Sequence, residues 1–480
     1  MSSLRQKSVS GIVWLLTEKL GIFGVKFVSG VVLARLLTPA DFGLIAMIMV
    51  FFAVAEVFIN SGMGMAYIQK KEVNDTDADT VFYTNLGISV VVYIILYLGA
   101  PFIAGFYNQP QLVDLTRVMA FVVVINAFNI IQHAQIARDV NFKKLAKVNF
   151  FSALLSGSIG ITSAYYGLGV WALVLRSMMD RIFVTTGFWM TSAYRPKRQF
   201  SKQSFKSMFS FGFWVLITSI MRKIFDNIYI LAIGKFFPAA QLGYYTKAKQ
   251  FQKMLTSIIG AAIGSVSFPV LAKLQDDKKR LRSGMQKFIQ HSMFYMFPLS
   301  VGFIIVAEPF VILLLTDKWA PMIPFLQLLC VSGIFYPLHA INVQSLTAQG
   351  YIRLSFKLEV IKNSLRLLNI VVTYRYGVMY IILGEVILSI IFLWLNTFYI
   401  KKYIGYGLIQ QMKDIGLIIL IGVFSAAVSY YLIRYIFTDL FLIFICSVVL
   451  FSILYLVLNF MFNKIMLQSN IQIIKETIYK

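Results

Sequence analysis

Eleven basic and seven acidic side chains fall inside long apolar runs of this chain. The bases are Lys19, Lys26, Arg176, Arg181, Arg222, Lys223, Lys247, Lys249, Lys253, Lys362 and Arg366; the acids are Glu18, Glu56, Asp180, Asp226, Glu308, Glu359 and Glu385. A charge held against lipid at the centre of a span costs ~2.5–3.5 kcal/mol on the most lenient scale, so most of these must pair, snorkel or line a wet cavity. Helical spacing sorts them. Lys19 and Lys26 lie seven apart, on one helix face. Arg222, Asp226 and Tyr229 follow one stripe, Glu359, Lys362 and Arg366 another, and Lys249 and Lys253 stand one turn apart. Arg176–Asp180 and Arg222–Asp226 have the spacing of ion pairs, which compete with ligand contact as the explanation of these residues. Snorkelling to the membrane surface competes for Lys249, Lys253 and Arg181. Lys26 has no acid three or four residues away and is the strongest cavity candidate. The excess of cations over acids in the spans suits an anionic cargo, since arginine offers bidentate hydrogen bonds to phosphate and lysine a mobile point charge.

Other chemistry is not encoded. No Walker loop, nucleophile elbow or zinc-binding H-E-x-x-H occurs. Cys330 and Cys446 each lie in an apolar run and read as small buried hydrophobes. His133, His291 and His339 are isolated from any cluster of ligand spacing, so no metal and no cofactor is expected.

These charges ride on elements made for a bilayer. The 480 residues are 59% hydrophobic and only 13% charged, with a mean hydropathy of +0.77, whereas a soluble chain averages roughly 45–50% apolar and about 25% charged. Windows of ~19 residues mark fourteen candidate spans between residues 9 and 462, with Pro269, Pro298 and Pro337 as candidate kinks. The first span is too long and too interrupted by charge to be a cleaved signal peptide. Lys and Arg alternate between connections: one side collects 27, the other only Arg35, Arg117, Lys235, Lys318, Arg375 and Arg434. The positive-inside rule then puts both termini in the cytoplasm. The net charge of +24 is mostly this topology signal, with attraction to anionic lipid headgroups, and not a nucleic-acid surface. The outer connections are too short to hold a catalytic domain, so an enzyme is not expected.

The chain also repeats itself. LARLLTPADFG from Leu33 aligns without gaps with IGKFFPAAQLG from Ile233, two hundred residues on: Arg35 with Lys235, Ala40 with Ala240, Phe42 with Leu242, Gly43 with Gly243, and Gly64 with Gly264 further along. Six spans separate the copies, so both have the same orientation in the membrane, as parallel repeats with a substrate path between the halves do.

At these residues the chain resembles a known family. LARLLTPADFGLIAM, KIFDNIYILAIGKFFPAAQLGYYTKAKQF (223–251) and FPVLAKLQDD (268–277) are similar to the signatures of Wzx-type polysaccharide flippases of the multidrug/oligosaccharidyl-lipid/polysaccharide exporter superfamily. The resemblance implies an all-α fold of about 14 transmembrane helices: a six-helix lobe over 1–206, a second over 207–402, the two forming a V, and two peripheral helices with a cytoplasmic tail over 403–480. It implies translocation of undecaprenyl-diphosphate-linked oligosaccharide units across the bacterial cytoplasmic (inner) membrane by alternating access. The cavity cations Lys19, Lys26, Arg176, Arg181, Arg222, Lys223, Lys249, Lys253, Lys362 and Arg366 would hold the diphosphate, with Asp226, Asp180, Glu359 and Glu56 as charge partners or ion-coupling groups. H+ or Na+ is the coupling ion to expect. The expected partners are the lipid-linked oligosaccharide, membrane lipids and polysaccharide polymerase machinery. A lipid II flippase and a cation-coupled multidrug antiporter of the same superfamily are the alternatives; the antiporter would call for a net acidic cavity.

Overall fold

A computed structural model describes residues 21–60, 63–70, 72–139, 142–464 and 466–470; Glu18 and Lys19 lie outside the described residues. Among the described residues every regular element is helical. They are α1 (21–36), α2 (Pro39–Asn60), α3 (Met63–Gln69), α4 (Asp75–Tyr107), α5 (Leu112–Ala127), α6 (Ile130–Arg138), α7 (Phe142–Tyr165), α8 (Val170–Thr191), α9 (Lys202–Asp226) and α10 (Ile228–Phe236), then α11 (Ala239–Lys273), α12 (Lys278–Ile305), α13 (Ala307–Leu315), a 3-10 turn (Asp317–Met322), α14 (Ile323–Ile334), α15 (Tyr336–Ala348), α16 (Ile352–Thr373), α17 (Val378–Ile404), α18 (Leu408–Ile436) and α19 (Leu440–Phe462). Nine helical segments among the described residues are long and apolar enough to cross a bilayer, so the chain is an all-α, polytopic membrane protein. Two 22-residue helices outside those nine, α8 and α16, are the ones that carry Arg176, Asp180 and Arg181, and Glu359, Lys362 and Arg366.

The chain divides into two compact units, Met1–Gly243 and Tyr244–Lys480. In the first, α4 packs on α5, α7 packs on α8, and α2 touches α4, α5, α8 and α9. Local chemistry sets the ends. Thr38 and Asp41 cap α2 reciprocally: the Thr38 amide donates to Asp41 Oδ2 (2.8 Å) and the Asp41 amide to Thr38 Oγ1 (3.3 Å), with Pro39 in the first helical position, where no amide hydrogen is needed. Asn74 and Asp77 cap α4 in the same way. Further along α4, the fully buried Asp79 carboxylate accepts from Tyr194 Oη (2.5 Å) and from the amides of Lys197 (3.0 Å) and Gln199 (3.3 Å). The basic connection between α8 and α9 is thereby fastened to the start of α4. Burial and the adjacent carboxylate push the Tyr194 phenol above its ordinary pKa.

The repeat seen in the sequence meets itself within this unit. A Cβ on Gly43 would stand 1.8 Å from the Ala239 carbonyl oxygen, and one on Gly243 would stand 1.9 Å from the Pro39 carbonyl oxygen. Glycine is required at both points because backbone lies where a side chain would begin.

In the second unit, α12 packs on α14, α15, α18 and α19, and α16 on α17. Its core gathers Met285, Ile289, Met293, Leu338, Ile341, Ile415 and Ile418. A buried amide pair crosses that core: Asn342 and Gln411 exchange hydrogen bonds of 3.1 and 2.9 Å, and Gln411 also donates to the Tyr406 carbonyl at 3.2 Å. Polar groups buried this way are tolerated because each finds a partner.

Candidate functional site

The first unit holds a half-open cavity of about 580 Å3 whose mostly apolar wall carries a patch of polar groups. Glu56 on α2, Arg181 on α8 and Lys223 on α9 bring charge to its wall, while Asn126, Asn129, His133 and Ser219 bring neutral polar groups. The two asparagines stand where helix stops: α5 ends at Ala127, α6 starts at Ile130, and short backbone bonds such as Phe128 N to Ile125 O (3.2 Å) tighten the joint. Trp189 Nε1 anchors it by donating to the Phe128 carbonyl at 2.8 Å. The Asn129 amide is oriented by bonds to Thr185 Oγ1 (2.9 Å) and Asn126 Oδ1 (3.3 Å).

Arg181 Nη2 donates to Glu56 Oε1 at 3.0 Å, with both side chains a little over a third exposed. A second cavity, of about 130 Å3, shares Glu56, Asn126 and Arg181 with the first and adds Ser177 and Asp180. The Glu56–Arg181 pair therefore lines both cavities. Counting Arg181, Lys223 and Glu56, the larger chamber has one more cation than acid.

The other singled-out residues of this unit are placed differently. Neither Arg176–Asp180 nor Arg222–Asp226 forms an ion pair in the described residues. Arg176 instead donates to Ser29 Oγ on α1 at 3.0 Å and lays its stem over Gly160; Asp180 accepts from Ser156 Oγ at 3.4 Å. In each case a closer partner or solvent satisfies the group without bending the side chain along its own helix. Arg222 and Asp226 are exposed near the end of α9. Lys26 is exposed on α1, and its carbonyl accepts from Ser29 Oγ at 3.3 Å.

The second unit holds its own charges. Lys249 on α11 pairs with Glu385 on α17 at 2.5 Å, a partner too distant in sequence for helical spacing to suggest. Glu359 stands 3.3 Å from Arg366 and 4.0 Å from the buried Lys362, and Arg366 also bonds to Asn363 and covers the Phe392 ring. Lys253 is exposed. The α16 stripe thus does converge, whereas Lys249 and Lys253 do not act as a pair. Asn126, Asn129 and Ser219 are not singled out by sequence, and His133 is noted there only as isolated from any ligand cluster; the signal available was neutral polar residues in otherwise apolar runs.

A family model described as "Polysaccharide biosynthesis protein" matches residues 32–324. The lipopolysaccharide biosynthesis protein WzxC of Escherichia coli (strain K12) is 28% identical over 441 residues, covering 89% of this chain and 88% of its own. The succinoglycan biosynthesis transport protein ExoT of Rhizobium meliloti (strain 1021) is 25% identical over 325 residues, covering 68% of this chain and 66% of its own. Among solved structures, the lipid II flippase MurJ in an inward closed conformation superposes with a TM-score of 0.76 at 17% identity, over 95% of this chain and 100% of that one. An inward-facing multidrug resistance MATE family transporter of the MOP superfamily gives 0.61 at 14% identity, over 82% and 98%. The fold is that of these transporters.

Proposed function

Because this chain belongs to the polysaccharide biosynthesis protein family, we infer that it is a flippase carrying undecaprenyl-diphosphate-linked oligosaccharide repeat units across the bacterial cytoplasmic membrane. The observation that carries the reading is a cavity whose polar patch has a cationic excess, built inside an apolar helical unit. Such a chamber lowers the cost of taking a charged headgroup out of water, while the prenyl chain stays in lipid. The work is differential binding and conformational exchange by alternating access, with no bond made or broken. The finer architecture belongs to the same proposal: about fourteen spans, lobes over 1–206 and 207–402, two further helices over 403–480, and both termini cytoplasmic. So does a coupling ion, H+ or Na+.

Deleting the gene is expected to leave lipid-linked repeat units on the inner leaflet and to remove surface polymer. Normal surface polymer in the deletion strain would overturn the reading. The likeness in fold to MurJ supports lipid II as the alternative cargo; in that case the deletion would halt wall synthesis and leave surface polysaccharide assembly intact until lysis.

A further inference from the structure

We propose that Glu56 is a resident counter-ion of the cargo site: it occupies Arg181 while the chamber is empty and is displaced by the diphosphate of the incoming lipid. This rests on the flippase reading above and adds to it the identity of the group that the cargo must replace.

The geometry favours exchange over a permanent structural bond. Arg181 spends one hydrogen bond, from Nη2 to Glu56 Oε1 at 3.0 Å, out of the five its guanidinium can donate. Both side chains remain substantially exposed, 36% and 41%, where an ion pair is weak and easily traded. A diphosphate brings more charge than a carboxylate and matches the guanidinium fork with two acceptors at once. Lys223, on the same wall, adds a second cation within the chamber. The nearest other acid of this region, Asp180, lines only the smaller chamber and accepts from Ser156, so it does not replace Glu56 in this role.

The arrangement also connects binding to space. Glu56 and Arg181 line both chambers. Displacing Glu56 from Arg181 frees both side chains to move, so the headgroup gains room toward the smaller chamber once its phosphate has been recognised. Glu56 then competes for Arg181 again and speeds release of the cargo.

The test is binding of farnesyl diphosphate, with farnesol as the uncharged control, to the full-length protein in lipid nanodiscs. Glu56→Gln removes the competing charge and is expected to bind farnesyl diphosphate about fivefold more tightly than the unaltered protein, while exporting polymer more slowly because release is delayed. Glu56→Asp, shortened by one methylene, is expected to move in the same direction and serves if the glutamine variant folds poorly. Placed in an Arg181→Gln background, Glu56→Gln is expected to change affinity little, since the competition needs Arg181. Equal or weaker binding by both Glu56 variants would overturn the counter-ion role, and so would an undiminished gain without Arg181. If the unaltered protein bound farnesyl diphosphate no better than farnesol, the diphosphate-carrier reading itself would fall.

Discussion

Lys26, the strongest cavity candidate in the sequence, and Arg222, for which an ion pair with Asp226 competes with cargo contact, come one from each proposed lobe, and the structure separates their explanations. A buried Arg222–Asp226 pair would make loss of Arg222 a folding defect; the two side chains are exposed and do not pair. Arg222→Ala is therefore expected to leave folded protein near its normal level, and adding Asp226→Ala should rescue nothing. Lys26 forms no ion pair in the described residues and lines neither cavity. Lys26→Ala is therefore expected to leave folded protein at its normal level and to lower export only through a cargo contact made in another state of the transport cycle. Export of surface polymer, normalised to membrane-inserted protein on a blot, checks both; full export by Lys26→Ala would remove it from the cargo site. Residue types in the spans were legible from hydropathy alone. Their partners were not: Arg181 meets Glu56 across 125 positions and Lys249 meets Glu385 across 136, and only folding sets such distances.

At the level of elements, windows of hydropathy find apolar length but not the points where a helix stops. The run near 116–137 is interrupted by a turn at Phe128–Asn129, that near 207–234 at Asn227, that near 284–315 at Val306 and that near 320–346 at Phe335, although Leu112–Arg138 and Asp317–Ala348 each remain one segment long and apolar enough to cross a bilayer. Only the last break lies beside a proline, Pro337, at the start of α15; Pro269 and Pro298 sit within uninterrupted helix. The first of these breaks is also what turns Asn126 and Asn129 toward the cavity, so the part of the site that sequence missed is the part built at a hidden joint. The outer turns were more transparent, because Thr38, Pro39, Asp41 and Gly43 each have a local reason to be there. Gly43→Ala is expected to reduce folded protein, since its methyl carbon would collide with the Ala239 carbonyl and overpacking of this kind costs ~1–3 kcal/mol. Gly24→Ala, with nothing within 4 Å of the added carbon, is the tolerated comparison. Fluorescence-detected size exclusion of tagged variants measures the difference; equal monodisperse yields would show that the close approach is dispensable.

For the whole molecule, class and family were the most legible level, because apolar length, charge asymmetry and the repeated turn are written along the chain and need no three-dimensional information. The cavity was the least legible, since its walls come from six helices between residues 56 and 223. Orientation in the bilayer rests on charge alone: the connections alternate between Lys/Arg-rich and Lys/Arg-poor. A reporter active only outside the cytoplasm, fused after Lys480, is therefore expected to stay silent, and a strong signal would reverse the assignment of inner and outer faces.

The glycine crossing has a consequence for how the chain came to be built. Gly43 abuts the backbone at Ala239, and Gly243 abuts the backbone at Pro39; each position touches the other's counterpart, two hundred residues away. That reciprocity is the signature of an isologous interface, the kind formed when two identical subunits meet across a twofold axis. A half-length ancestor would have made the contact with a second copy of itself, and fusing the copies in tandem kept it as an intramolecular joint. The copies have since diverged in the alignment, with Arg35 against Lys235 and Phe42 against Leu242, but the two close approaches leave no room for a side chain in either copy. On that account the two glycines would be one ancestral position occurring twice.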